Sequence, residues 1–163
     1  MTQPVEIKNV TKTFRHPMKV WDTIEAVKDF SFSVQTGEIV GFVGHNGAGK
    51  TTTIKMLMGF IAPTSGEISI FGHKPGNREV RYKIGFLPER PYFYSELTAM
   101  DVLKYFGKLS GMKGSNLIDR AEKVLRKVGI YNDRNRKLSG YSKGMLQRIG
   151  LAQALIHDPE LVI

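Results

Sequence analysis

The chain has 163 residues, with 24 Lys plus Arg against 15 Asp plus Glu for a formal charge of +9, 41% hydrophobic residues, 17 glycines and no cysteine. That balance excludes a disordered or collagen-like chain, and the lack of cysteine excludes a disulfide scaffold and a thiolate metal site. No run approaches the ~18 apolar residues that span a bilayer, and no apolar block near the start reads as a secretory signal, so a soluble, cytoplasmic chain is expected.

In chain order, Val5 to Phe14 and Ile24 to Val34 are predicted strands, the second through the alternation Phe30, Phe32, Val34. A polar loop carrying Pro17 and Trp21 separates them. After the Gly37-Glu38 turn, Ile39-Val40-Gly41-Phe42-Val43 is a short continuous apolar run, the pattern of a buried strand. A helix is predicted from Lys50, because Ile54, Leu57, Met58 and Ile61 share one face, and Pro63 to Gly66 ends it. Ile68 to Phe71 and Ile84 to Leu87 are further strands.

From Thr98 the period becomes helical. Thr98 and Asp101 form a capping box ahead of the stripe Val102, Tyr105, Phe106, Leu109, and the stretch Gly107 to Gly114 closes that helix. Leu117, Ala121, Val124, Leu125 and Val128 mark the next helix, closed by Gly129. A last helix is predicted from Ser142 to His157, and Leu161-Val162-Ile163 begins an apolar strand. The order implies an α/β core with a helical insertion.

Charge follows this division. Up to His73 there are 7 basic and 6 acidic residues, whereas Lys113 to Arg148 holds 10 basic against 3 acidic. Aromatics do not interleave with the basic residues there as a single-strand-binding platform requires, so a solvated helical face is the expected reading and no specific nucleic acid is expected.

Gly44-His45-Asn46-Gly47-Ala48-Gly49-Lys50-Thr51 fits G-x-x-x-x-G-K-[ST], between a predicted strand and a predicted helix. Glycines let backbone N–H groups turn inward around phosphate oxygens, and the helix offers its positive end. Lys50 is expected to reach the β- and γ-phosphates and the Thr51 hydroxyl to ligate Mg²⁺, with Thr52 completing the cradle. Such a loop alone does not separate kinases, GTPases and transport ATPases.

A second constellation, Leu138-Ser139-Gly140-Tyr141-Ser142-Lys143-Gly144-Met145-Leu146-Gln147-Arg148, adds that discrimination. With the phosphate loop, it resembles the nucleotide-binding domain of ABC-type ATPases, whose signature L-S-G-G-Q is followed by x-Q-R. A register starting at Leu138 leaves Gln147-Arg148 three residues late; one starting at Tyr141 brings Ser142, Gly144, Gln147 and Arg148 into phase and is preferred. The resemblance implies that the signature residues Ser142, Lys143, Gly144 and Met145 act on ATP held by a partner subunit. It places Phe14 on the adenine, with Trp21 as the rival for that role. Ile84-Gly85-Phe86-Leu87-Pro88-Glu89 resembles the stretch bearing the family's lid glutamine, and the segment from Ala152 to Ile163 resembles the approach to the Walker B strand. The Gly-Met-x-Gln-Arg and Leu-Pro-Glu forms look most like exporter-type subunits.

Departures matter as well. Glu89 stands where the family has Gln; as a hard oxygen donor it suits Mg²⁺, but it adds negative charge near the γ-phosphate. Met145 replaces the signature Gln and removes a polar contact. His157 reads as a surface or capping histidine ahead of Asp158-Pro159.

The resemblance thus implies a P-loop NTPase fold with an N-terminal antiparallel β segment and an inserted α-helical subdomain, incomplete at its C-terminus. One partial domain over 1–163 divides into a β/α core at about 1–89 and 158–163 and a helical subdomain at about 90–157. The implied function is the ATP-binding subunit of an ABC transporter, an ATPase using ATP and Mg²⁺. It would pair head-to-tail with a second such domain and drive a transmembrane permease from the inner face of the cell membrane. The catalytic Asp-Glu and the switch His of the family fall beyond Ile163, so these residues are expected to bind ATP and hydrolyse it poorly. Alternatives are a soluble ABC-type ATPase acting on nucleic acid or ribosomes, and a non-catalytic nucleotide-binding fragment.

Overall fold

The computed structural model describes residues 3–15 and 22–163. Trp21 and Pro17 lie outside them, and with them the rival for adenine stacking. The chain divides into two compact units, 1–81 and 82–163.

In the first unit, β1 (Val5–Arg15) and β2 (Thr23–Val34) form a long antiparallel pair. β3 (Ser65–Ile70) pairs antiparallel with the other edge of β1, giving the order β2-β1-β3. Val5 is the common rung, opposite Val34 on one side and Ile70 on the other. Alternation sends Val5, Ile7, Ile68 and Ile70 inward, where they are buried with Val10 and Met56. Register slips between Ile7 and Val10 let Asn9 take a left-handed conformation, and its amide donates to the Asp29 carboxylate at 3.0 Å.

α1 (Lys50–Leu57) follows the glycine-rich loop. It stops before the predicted Ile61 because Gly59, at φ +70°, starts a reversal: the N–H of Gly59 donates to Met56 and that of Phe60 to Lys55. A short helix that periodicity did not predict, α2 (Arg78–Lys83), closes the unit; the Asn77 side chain accepts from the N–H of Glu79 at its start.

The strand expected at 39–43 does not form. Ile39 and Val43 are 99% and 94% exposed, and none of the three sheet strands pairs with this segment. A continuous apolar run is the signature of a strand covered on both faces and paired on both edges. Among the described residues β1, β2 and β3 pair with one another, so the run has the composition of a central strand without its neighbours.

The second unit holds a two-stranded parallel sheet, β4 (Ile84–Gly85) with β5 (Leu161–Val162), and three longer helices: α3 (Ala99–Leu109), α4 (Gly114–Lys127) and α5 (Lys143–Leu155). Their apolar stripes meet in one core containing Val102, Leu103, Ala121, Val124, Leu125, Ile149 and Ile156. β4 is shorter than the expected 84–87, although the ladder continues as single bonds from the N–H of Leu87 to Ile163 and from that of Ile163 to Gly85. Gly107 was expected to help end α3 and instead lies inside it. A Cβ there would collide with the Leu117 side chain, so glycine permits the close approach of α3 and α4. Among the described residues no helix is long and apolar enough to cross a membrane.

Candidate functional site

The loop Gly44 to Gly49 is built from positive-φ glycines around one cation. Gly47 and Gly49 sit at φ +88° and +82°, which an L side chain adopts only with strain, and the N–H of Ala48 closes a turn on His45 at 3.1 Å. The Nζ of Lys50 points back into this turn and donates to the carbonyls of Gly44 at 2.5 Å and His45 at 2.8 Å. The Nδ1 of His45 lies 2.8 Å from the carbonyl of Asn46. Gly49 also lies too close to β2 for any side chain, because a Cβ would overlap the carbonyl of Ala26 and come 3.0 Å from Val27.

The start of α1 is equipped for an anion. Its N-cap is Gly49, no side chain caps it, and its first turn contains no acidic residue. The N–H groups there thus point outward with the positive end of the helix dipole and with the Lys50 ammonium held nearby. Thr51 and Thr52 follow at the helix start, with Thr51 exposed, whereas Thr53 is buried and donates its hydroxyl to the carbonyl of Gly49 at 3.0 Å. The donor set suits a polyphosphate: backbone N–H groups, an ammonium and hydroxyls, with no acidic residue in the first turn of α1. For Mg²⁺ the residues fit only in part. No group of three or more His, Cys, Asp or Glu side chains stands ready for a metal among the described residues. A Mg²⁺ ion here would have to draw most of its oxygens from phosphate and water, as Mg²⁺ commonly does, with the Thr51 hydroxyl as a further donor.

A cleft of about 290 Å³ opens between β2 and this loop, with Glu25, Ala26, Phe42, His45 and Gly47 in its wall. Phe14 does not line it. Phe14 sits on β1 opposite Ile24, is 41% exposed, and carries the Lys12 ammonium 5.1 Å from its ring centroid.

The remaining candidates belong to the second unit. Ser142 is the N-cap of α5, and its Oγ accepts from the N–H of Met145 at 3.3 Å. Leu138 to Gly140 instead form a 3₁₀ turn ahead of the helix, so it is Ser142 and not Ser139 that caps. Lys143, Gly144 and Met145 make the first turn of α5, which again contains no acidic residue, and a Cβ on Gly144 would meet only Ser142 Oγ at 3.9 Å. Glu89 is exposed on the segment after β4.

Tyr141 anchors the approach to α5. Its hydroxyl donates to the carbonyl of Asp133 at 2.7 Å, and burial pushes its pKa above the ordinary tyrosine value, with the Asp133 carboxylate adding to the rise.

Two residues had no role assigned from sequence. Gln147 donates to the backbone carbonyl of Glu89 at 2.9 Å, and Arg148 reaches the carbonyl of Val128 at 3.3 Å. The only sequence signal for either was the x-Q-R tail after the signature. Gly150 fits the same contact as Gln147: a Cβ there would come 2.7 Å from Leu87 and 2.9 Å from Pro91. The helix that starts at Ser142 is thus fastened to the segment carrying Glu89.

Known proteins resemble this chain in sequence and fold. The sequence profile described as ABC transporter matches residues 27–163. The chain is 42% identical over 159 residues to the uncharacterized ABC transporter ATP-binding protein YxlF of Bacillus subtilis (strain 168), covering 98% of this chain and 50% of that protein. It is 43% identical over 147 residues to the bacitracin transport ATP-binding protein BcrA of Bacillus licheniformis, covering 89% and 47%. Among solved structures it resembles a dimeric ATP-binding cassette in a post-hydrolysis state bound to ADP and Pi, with a TM-score of 0.83 at 28% identity over 97% of this chain and 72% of that one. It also resembles an ATP binding subunit of an ABC transporter, with a TM-score of 0.79 at 29% identity over 97% and 64%. The chain spans about half the length of the curated relatives it matches.

Proposed function

The chain belongs to the ABC transporter family, and we propose that it forms the nucleotide-binding part of a transporter's ATP-binding subunit, coupling Mg·ATP binding and hydrolysis to transport by a transmembrane permease. The carrying observation is the cation in the loop: Lys50 Nζ on the carbonyls of Gly44 and His45, at the open start of α1.

Bound Mg·ATP supplies the phosphoryl group that passes to water. The protein's part is to place it. Gly44, His45, Asn46, Gly47, Ala48 and Gly49 wrap the phosphates with backbone N–H groups, and Lys50 exchanges its two carbonyls for β- and γ-phosphate oxygens. Thr51 would give a hydroxyl oxygen to Mg²⁺ and Thr52 would hold phosphate; Glu89, in the second unit, is by its chemistry a hard oxygen donor suited to such a cation. Phe14 stacks on the adenine. Ser142, Lys143, Gly144 and Met145 face the ATP of a second cassette in a head-to-tail dimer, using the helix start as an anion site.

In this reading, a β/α core at about 1–89 and 158–163 is interrupted by a helical subdomain at about 90–157. The subunit is cytoplasmic and meets the inner face of the cell membrane through its permease. The Gly-Met-x-Gln-Arg and Leu-Pro-Glu forms resemble those of exporter-type subunits. The Asp-Glu pair that positions Mg²⁺ and water is assigned to the part of the longer subunit outside these residues.

The test is calorimetric. Titration with Mg·ATP gives a saturable heat for the unmodified chain and none for Lys50→Ala; indistinguishable heats would remove the assignment.

A further inference from the structure

We propose that the groove between α3 and α4, at the ends joined by residues 110–113, is a docking site for a short acidic amphipathic helix of a partner protein. The groove encloses about 510 Å³. Its apolar wall is Met112, Leu117 and Ile118, and Lys104, Lys108 and Lys113 rim it with no carboxylate in the lining.

Those three lysines differ from several basic residues of this unit. Lys83, Arg120, Arg126, Arg136 and Lys137 each reach a carboxylate. Among the described residues, no ion pair involves Lys104, Lys108 or Lys113. Lys113 is also the N-cap of α4, without a side-chain hydrogen bond, and the first turn of α4 holds no acid, so the helix end adds its own positive field. Beside the groove, Tyr105 and Leu109 are 57% and 62% exposed although the inner face of α3 is fully buried.

Unpaired positive charge around an apolar concavity calls for an occupant with the complementary pattern. From Lys104 to Lys108 α3 rises about 6 Å, so the occupant contacts it over roughly one turn. That selects apolar residues at i and i+3 or i+4, flanked by Glu or Asp aimed at the lysines. A concave groove favours this over a lipid surface, which is best met by a protruding amphipathic face.

The probe is a labelled, designed fourteen-residue helix with a Leu face flanked by Glu, followed by fluorescence anisotropy on the complete chain, alongside a twin carrying Lys in place of Glu. Expected are saturable binding of the Glu peptide, none of its twin, and a loss of about tenfold or more in the triple variant Lys104→Glu, Lys108→Glu, Lys113→Glu or at high salt. The milder triple change to Gln is run beside it, in case charge reversal disturbs folding, and is expected to weaken binding with the Mg·ATP titration unchanged. Equal binding of both peptides, or binding indifferent to the lysines, overturns the proposal. So does lysine-dependent sedimentation with phosphatidylglycerol vesicles without peptide binding, which would assign the patch to lipid.

Discussion

Lys50 and Gly49 make opposite demands on their surroundings: in the proposed function one needs room to move its cation from carbonyls to phosphate, and the other needs the absence of a side chain. Gly49→Ala puts a Cβ against Ala26 and Val27 at φ +82°, so it is expected to cost about 1–3 kcal/mol and to weaken Mg·ATP binding together. Thermal unfolding and titration of the same preparation check both. Tyr141 gives a separate reading at high pH. Because its folded pKa is raised, mainly by burial, the unfolded phenol ionises first; stability is intact below the ordinary tyrosine pKa and falls as pH rises through the raised one. Tyr141→Phe is expected to lose about 1 kcal/mol at neutral pH and to flatten that alkaline decline in denaturant titrations, since the hydrogen bond to Asp133 goes with the ionisable group. The places of Lys50 at the start of α1 and of Ser142 at the start of α5 were legible in the sequence because they depend on neighbours within six residues. Gln147 was not, because the carbonyl it grips lies 58 residues away.

The same contrast between local and distant causes governs whole elements. The Thr98 capping box was readable because four residues contain it: Thr98 Oγ1 accepts from the N–H of Asp101, and the Asp101 carboxylate accepts from the N–H of Thr98, both at 3.1 Å. Thr98→Ala is expected to destabilise the second unit by about 1 kcal/mol. The Asp101 carboxyl is held below the usual carboxylate range by the Thr98 hydroxyl first and the Thr98 N–H second. A lowered folded pKa means that the box stabilises fully above the ordinary Asp value and loses its contribution as pH falls through the lowered one. Asp101→Asn is therefore expected to remove part of the acid dependence of unfolding, followed by the far-ultraviolet helix signal. Gly107 shows where local reading stops. In sequence it is a helix breaker; in the folded unit it is the gap that Leu117 fills, and that need arises only once α3 and α4 touch.

At the scale of the molecule, the informative element is one that did not form. Residues 39–43 have the sequence of a strand, yet strand formation depends on edges that other segments must supply, and Ile39 and Val43 remain exposed. A contiguous exposed apolar run is an association hazard. It leads directly into the loop holding Lys50, so whatever covers it also steadies that loop. The relatives are about twice as long as this chain, and additional length of that kind is the natural source of such cover. The 163 residues alone are expected to bind a hydrophobic dye and to scatter light increasingly with concentration, and Ile39→Ser with Val43→Ser is expected to reduce both. In a chain extended to the length of the relatives, the same pair of substitutions is expected to have the opposite sign, lowering the unfolding midpoint and the ATP turnover. If the serines lower self-association in both lengths and leave turnover of the longer chain intact, the run is a surface feature and not the central strand that its composition describes.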